Sequence, residues 1–164
     1  MKKVIVPLIE FLKAKSIGYE LDEEAQVVRL GIEAANVQWR CFAREDDSGR
    51  FVFVSFIPIK AREARRPACA ELLCRINAQL GLGHFDFDFN DGEIVFRTVV
   101  PLPKRGRPTA DLIEQVLEGH NIVVDRFIPA ISSVLFSALP PLKALALLDE
   151  SSECAPSREQ FSLN

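Results

Sequence analysis

Histidine is scarce in this chain, with only His84 and His120 among 164 residues. Much acid–base and metal chemistry near neutral pH leans on histidine, so the shortage shortens the list of reactions. No H-x-x-x-H, G-x-S-x-G or G-x-x-x-x-G-K-[ST] occurs. Gly81-Leu82-Gly83 follows a helical pattern rather than a strand, which excludes a dinucleotide loop. Cys41, Cys69, Cys74 and Cys154 form no C-x-x-C pair. The first three read as small buried hydrophobes, and Cys154 sits in a polar tail. Also missing is any apolar run near the roughly 18 residues that cross a bilayer. The opening MKKVIVPLIEFLKAKS starts like a signal peptide, but Glu10 and Lys13 interrupt it and no small-residue cleavage site follows. A net charge of −3 sets up no global field favouring nucleic acid or an anionic membrane. What remains is a cytoplasmic globular chain, 48% apolar and 26% charged, able to bury a core unaided.

The periodicity then sorts the chain into elements. VPLIEFLKAKSIG predicts a first helix, with Pro7 in its opening turn and Gly18 as its stop. A short strand, an acidic turn and a strand over 27–33 follow, then alternating VQWRCFAR, the turn DDSG and RFVFVSFIP. RRPACAELLCRINAQLG reads as a second helix, and residues 83–101 as a hairpin. A long helix begins at the N-cap Thr109 and carries Pro129 inside it; PPLKALALLDE is a last short helix. Hairpins interrupted by helices predict an α+β two-layer sandwich, an antiparallel sheet with helices on one face, in the order α-β-β-β-α-β-β-α. Residues 1–149 form one domain, and 150–164 read as a disordered tail.

GHFDFDFNDGEI raises the question of a metal. Counted as an EF-hand loop from Asp86, the sequence has Asp91 where Gly is needed and Arg97 where the bidentate Glu belongs. Asp86-Phe87-Asp88 also spells D-x-D, but the chain has no room for a nucleotide-binding domain beside it. A hairpin closed by Asp91-Gly92 explains the stretch better. It puts Phe85, Phe87 and Phe89 on the face of Ile94 and Phe96, and the aspartates on a wet face beside Arg97. No metal, cofactor or catalytic residue is therefore assigned. His120 falls on an apolar helix side and reads as a tucked-in side chain.

The middle hairpin is less ordinary. Closed at Ser48-Gly49, it places Trp39, Cys41, Ala43, Val52, Val54 and Phe56 on one face. Arg40, Phe42, Arg44, Phe51, Phe53 and Ile57 then share the other. A three-residue turn swaps residues between faces and leaves both apolar. Phe42, Phe51, Phe53 and Ile57 are thus the candidate protein-contact residues, either covered by the chain itself or meeting a partner. Burying four such side chains contributes roughly 1.5–3 kcal/mol each, against an association cost of about 4–15 kcal/mol.

Three segments, FLKAKSIGYELDEEAQVVRLGI, LLCRINAQLGLGHFDFDFNDGEIVFRTVVPL and VVDRFIPAISSVLF, resemble the YbjN family of bacterial sensory transduction regulators over about residues 6–138. The most specific parts are the helix-end Arg75-Ile76-Asn77 with its strand pair, and the Asp125–Ala130 segment. The resemblance implies a fold like that of type III secretion chaperones, which are small, acidic and usually dimeric, and bind protein segments without chemistry. It implies a non-enzymatic protein-binding module, a homodimer with a protein client or regulator as partner. Two other readings stand beside it. One is a small-molecule pocket between the sheet and the long helix near His120. The other is a nucleic-acid-associated regulator using the basic loops KAREARRP (60–67) and PKRGRP (103–108).

Overall fold

The computed structural model describes residues 2–34 and 37–153. Its helices are α1 (Ile5–Ala14), α2 (Arg66–Asn77), α3 (Ala110–Phe136) and α4 (Pro141–Glu153). Its strands are β1 (Glu20–Asp22), β2 (Val27–Glu33), β3 (Gln38–Glu45), β4 (Arg50–Phe56), β5 (His84–Phe87) and β6 (Ile94–Pro101). All six strands form one antiparallel sheet in the order β1-β2-β3-β4-β6-β5. This is the predicted α+β architecture: the short strand before the acidic turn is β1 at one edge of the sheet, and the expected last helix is α4. The expected tail over 150–164 divides: residues 150–153 belong to the end of α4, and the rest lies outside the described residues.

Helices α1, α2 and α3 each bury an apolar stripe, and α4 packs on α2 and α3. In α1, Ile5, Leu8, Phe11 and Leu12 are buried. In α3, Ile113, Val116, Leu117, His120, Val124, Phe127, Ile131 and Val134 repeat at helical spacing, all buried. The Thr109 hydroxyl accepts a hydrogen bond from Leu112 N at 3.2 Å and so caps α3. Against these stripes lies the inner sheet face: Val28, Leu30 and Ile32, Trp39, Cys41 and Ala43, Phe51 and Phe53, and Phe85, Ile94 and Phe96. Cys69 is buried on α2, but Cys74 is exposed on its other side, against expectation.

Both hairpins close differently from the sequence expectation. The β3–β4 turn is a three-residue loop, not a two-residue one. Asp46 N donates to Arg50 O at 3.0 Å, Gly49 N donates to Asp46 O at 3.0 Å, and Gly49 takes φ +72°. The register becomes Ala43 opposite Phe53 and Cys41 opposite Ser55. One extra loop residue therefore turns Phe51 and Phe53 inward and Val52, Val54 and Phe56 outward. In the β5–β6 hairpin Asp88 N donates to Glu93 O across a four-residue loop, so Phe85 meets Phe96 and Phe87 meets Ile94. The inward and outward assignment of the strands survives this shift of two. Phe89 does not share it: it lies in the loop, 59% exposed, edge-on to Phe87.

Candidate functional site

The outer sheet face is built from alternate residues of four central strands. Across it run Arg29 opposite Phe42, Phe42 opposite Val54, and Val54 opposite Arg97. Beside that row, Gly31 pairs with Arg40, Arg40 with Phe56, and Phe56 with Val95. Val52 and Val54 are buried, yet they do not join the core cluster on the other side of the sheet. They are the floor of a second apolar layer. Phe42 and Phe56 stand on it half-buried, their ring centroids 5.7 Å apart. Where Gly31 leaves out a side chain, the surface sinks into a groove of about 760 Å³ lined by Tyr19, Arg29, Arg40, Phe42 and Phe56. A Cβ added at Gly31 would meet nothing within 4 Å.

The charges around the groove are unevenly matched. Arg29 pairs with Asp22 at 3.1 Å and Arg97 with Asp86 at 2.8 Å. Arg40 and Arg44, which flank Phe42 on β3, have no carboxylate partner among the described residues.

Of the four predicted contact residues, the structure leaves only Phe42 on this face. Phe51 (1% exposed), Phe53 (0%) and Ile57 (4%) point into the core, because the Gly49 bulge reverses the side of β4. The sequence reading missed Phe56, Val52 and Val54, which take their place. The signal was in DDSG itself: a Gly in the last loop position favours a three-residue turn ending in a left-handed residue.

Between sheet and α3, at the position where the sequence suggested a pocket, stands a buried histidine. His120 is fully buried, its Nε2 2.7 Å from the Ser55 hydroxyl and its Nδ1 2.9 Å from the Thr98 hydroxyl. Trp39 Nε1 donates to the same Ser55 oxygen at 3.1 Å, and Cys41 Sγ lies 3.0 Å from it. The Phe53 and Phe96 rings flank the imidazole at 4.5 and 4.7 Å. Burial without a counter-charge pushes the His120 pKa down to about 3 and the Cys41 thiol up to about 12. Both groups therefore stay neutral. The chain of hydroxyls satisfies a polar cluster inside the core. The one buried side-chain atom left without a partner is Asn121 Oδ1, among the described residues.

The other candidate groups are also occupied. Asp86 meets Arg97 and His84, the latter at 3.1 Å. Asp88 Oδ1 accepts from Asn90 N at 2.7 Å, and Asp91 Oδ1 from Glu93 N at 2.9 Å. Among the described residues, no three His, Cys, Asp or Glu side chains converge on a metal position. In the first basic loop, Lys60 pairs with Asp91, Arg65 Nε donates to Val134 O at 3.0 Å, and Arg66 Nη1 donates to Phe89 O at 2.9 Å. Three of its cations thus tie the loop to the body of the domain.

The two most distinctive sequence motifs are structural supports for the sheet. Asn77, at the end of α2, gives Nδ2 to Phe85 O at 2.9 Å and accepts Phe85 N on Oδ1 at 2.7 Å. Its amide pairs with the edge of β5 as a neighbouring strand would. In the Asp125–Ala130 segment, Phe127 packs edge-on against Phe85, and Arg126 reaches Asp149 of α4 at 3.6 Å. Replacing Asn77 by Ala leaves both Phe85 backbone groups without this partner and is expected to cost about 2 kcal/mol. Asn77→Asp keeps the acceptor and loses the donor, so urea midpoints should rank wild type above Asp above Ala. Equal midpoints would show that the amide pairing carries no stability.

The sequence model of the YbjN family, described as "Putative bacterial sensory transduction regulator", matches residues 7–133. No curated protein matches the chain. Among solved structures, one titled "Crystal structure of YbjN, a putative transcription regulator from E. coli" is similar in fold at 12% identity. Its TM-score is 0.54, over 95% of this chain and 98% of that one. No helix among the described residues is long and apolar enough to cross a membrane.

Proposed function

The chain belongs to the YbjN family, and from that premise we propose that it is a non-enzymatic cytoplasmic regulatory module that works by binding protein through its outer sheet face. The supporting observation is the second apolar layer: two buried valines beneath Phe42 and Phe56, with no helix packed over them among the described residues. Contiguous apolar surface of this kind is the usual mark of an interaction site. A family description as a regulator fits a surface that binds rather than reacts. The occupant is a second copy, giving a homodimer, or a different protein.

Phe42→Glu tests this, because the side chain is half-buried on the outer layer and its replacement leaves the core intact. The variant should melt within a few degrees of wild type yet lose its associations. Phe53→Glu is the contrast: it buries a carboxylate against His120 and should unfold the domain. Light scattering after size exclusion, with retention of partner proteins on the immobilised chain, gives the readout. A folded Phe42→Glu variant with the wild-type mass and the wild-type set of partners would overturn the proposal.

A further inference from the structure

We infer that the occupant of the outer face is an amphipathic helix carrying glutamate or aspartate beside its apolar stripe; this rests on the binding reading above and specifies the partner. The sheet edges are poor docking sites for an extended segment. Asn77 already holds the backbone of β5 at Phe85, and β1 is three residues long. The face itself has its strand N–H and C=O groups spent on ladder pairing. An extended peptide laid there would leave its own backbone unpaired, whereas a helix satisfies its backbone internally. The partner's helical form thus follows from what the sheet cannot supply.

Its charge follows from Arg40 and Arg44. The two sit four residues apart on one strand, about 13 Å, on either side of Phe42. Two turns of helix rise about 11 Å, so carboxylates two turns apart come within reach of both guanidinium groups. Apolar side chains between them would then meet Phe42, Phe56 and the hollow over Gly31. A phosphate backbone fits less well. Glu20 and Glu93 line the same groove, and Asp22 and Asp86 already neutralise the neighbouring arginines. Sparse carboxylates can be placed between those acids, but a continuous polyanion would run across them.

The test uses two labelled peptides of about 18 residues, long enough to be helical when bound, titrated against the full chain by fluorescence anisotropy. Both carry leucines along one stripe. One has glutamates at its margins two turns apart, the other lysines in the same positions. The glutamate peptide should bind wild type at least tenfold more tightly. The double variant Arg40→Glu, Arg44→Glu should reverse that preference. Gly31→Leu should weaken the glutamate peptide with all charges kept, and circular dichroism would confirm that each variant is folded. Equal affinity for the two peptides, or no binding of either, overturns the inference. So does glutamate-peptide binding that ignores both sets of substitutions. If a short DNA duplex displaces the peptide and is itself lost on charge reversal, the occupant is a polyanion and the inference again falls. Should no peptide bind while Phe42→Glu still breaks an association, the inference fails and the binding reading stands. If Phe42→Glu breaks none, the reading itself has failed.

Discussion

Gly92→Ala is expected to destabilise the domain by more than about 3 kcal/mol, a large share of the roughly 5–15 kcal/mol that holds a domain folded. Gly92 ends the β5–β6 loop at φ +77°, and its carbonyl accepts from Ala61 N at 2.9 Å. A Cβ there would lie 2.0 Å from Ala61 O. The obstacle is backbone, so no rotamer change relieves it. Moving Ala61 away breaks that hydrogen bond and disturbs Lys60 and Arg66, which fasten the same loop through Asp91 and the Phe89 carbonyl. The left-handed conformation alone costs alanine about 1–2 kcal/mol. Gly106→Ala isolates that part, because Gly106 has φ +81° and nothing within 4 Å of its would-be Cβ. Urea unfolding should show Gly92→Ala losing at least twice what Gly106→Ala loses. Equal losses would mean that the approach of Ala61 contributes nothing.

Acid should remove a further large increment through one residue. His120 has its pKa lowered from 6.5 to about 3 by burial. Because the folded value lies below the unfolded one, the unfolded chain takes up the proton first. Stability is complete above about pH 6.5 and is lost as pH falls toward 3, at up to about 1.4 kcal/mol per unit, in all about 4–5 kcal/mol. The loss has no local remedy, since the groups touching the imidazole are hydroxyls and aromatic rings. Carboxylates titrate in the lower half of the same window, so the comparison is with His120→Gln. That variant should be less stable than wild type at pH 7 and should lose much less between pH 6.5 and 4.5. Parallel curves for the two proteins would show that His120 is not a buried neutral imidazole.

Periodicity located the elements well because each helix and strand has one dry side. Ile113, Val116, Leu117, His120 and Val124 announce α3 regardless of what they pack on, and Phe85 and Phe87 announce β5. The placement of faces depended on turns. In the acid-rich hairpin a shift of two residues left every strand side chain on its expected side, so Asp86 still found Arg97. In the middle hairpin a shift of one moved Phe51, Phe53 and Ile57 from the candidate contact surface into the core. Composition could not arbitrate there, since both faces of β4 are apolar. The Trp39–Ser55–His120–Thr98 cluster was illegible for a different reason: its members come from β3, β4, α3 and β6 and meet only once the register is known. That Arg40 and Arg44 have no carboxylate partner among the described residues likewise depends on where every acid ends up.

The pairing of β4 with β6 has a consequence for the order in which the chain becomes structured. Residues 50–56 meet residues 95–101 across a connection that holds all of α2 and β5. The β2–β3–β4 meander and the β5–β6 hairpin can each close locally within microseconds, whereas this junction must first bring distant segments together. On a ribosome the first meander emerges with Trp39, Phe51 and Phe53 facing neither β6 nor α3. α1 is already made by then, but the cover that α3 supplies waits until translation has passed Phe136, roughly 80 residues after β4 at about 5–20 residues per second. For several seconds of each synthesis, the nascent sheet is sticky on the side that the finished protein hides.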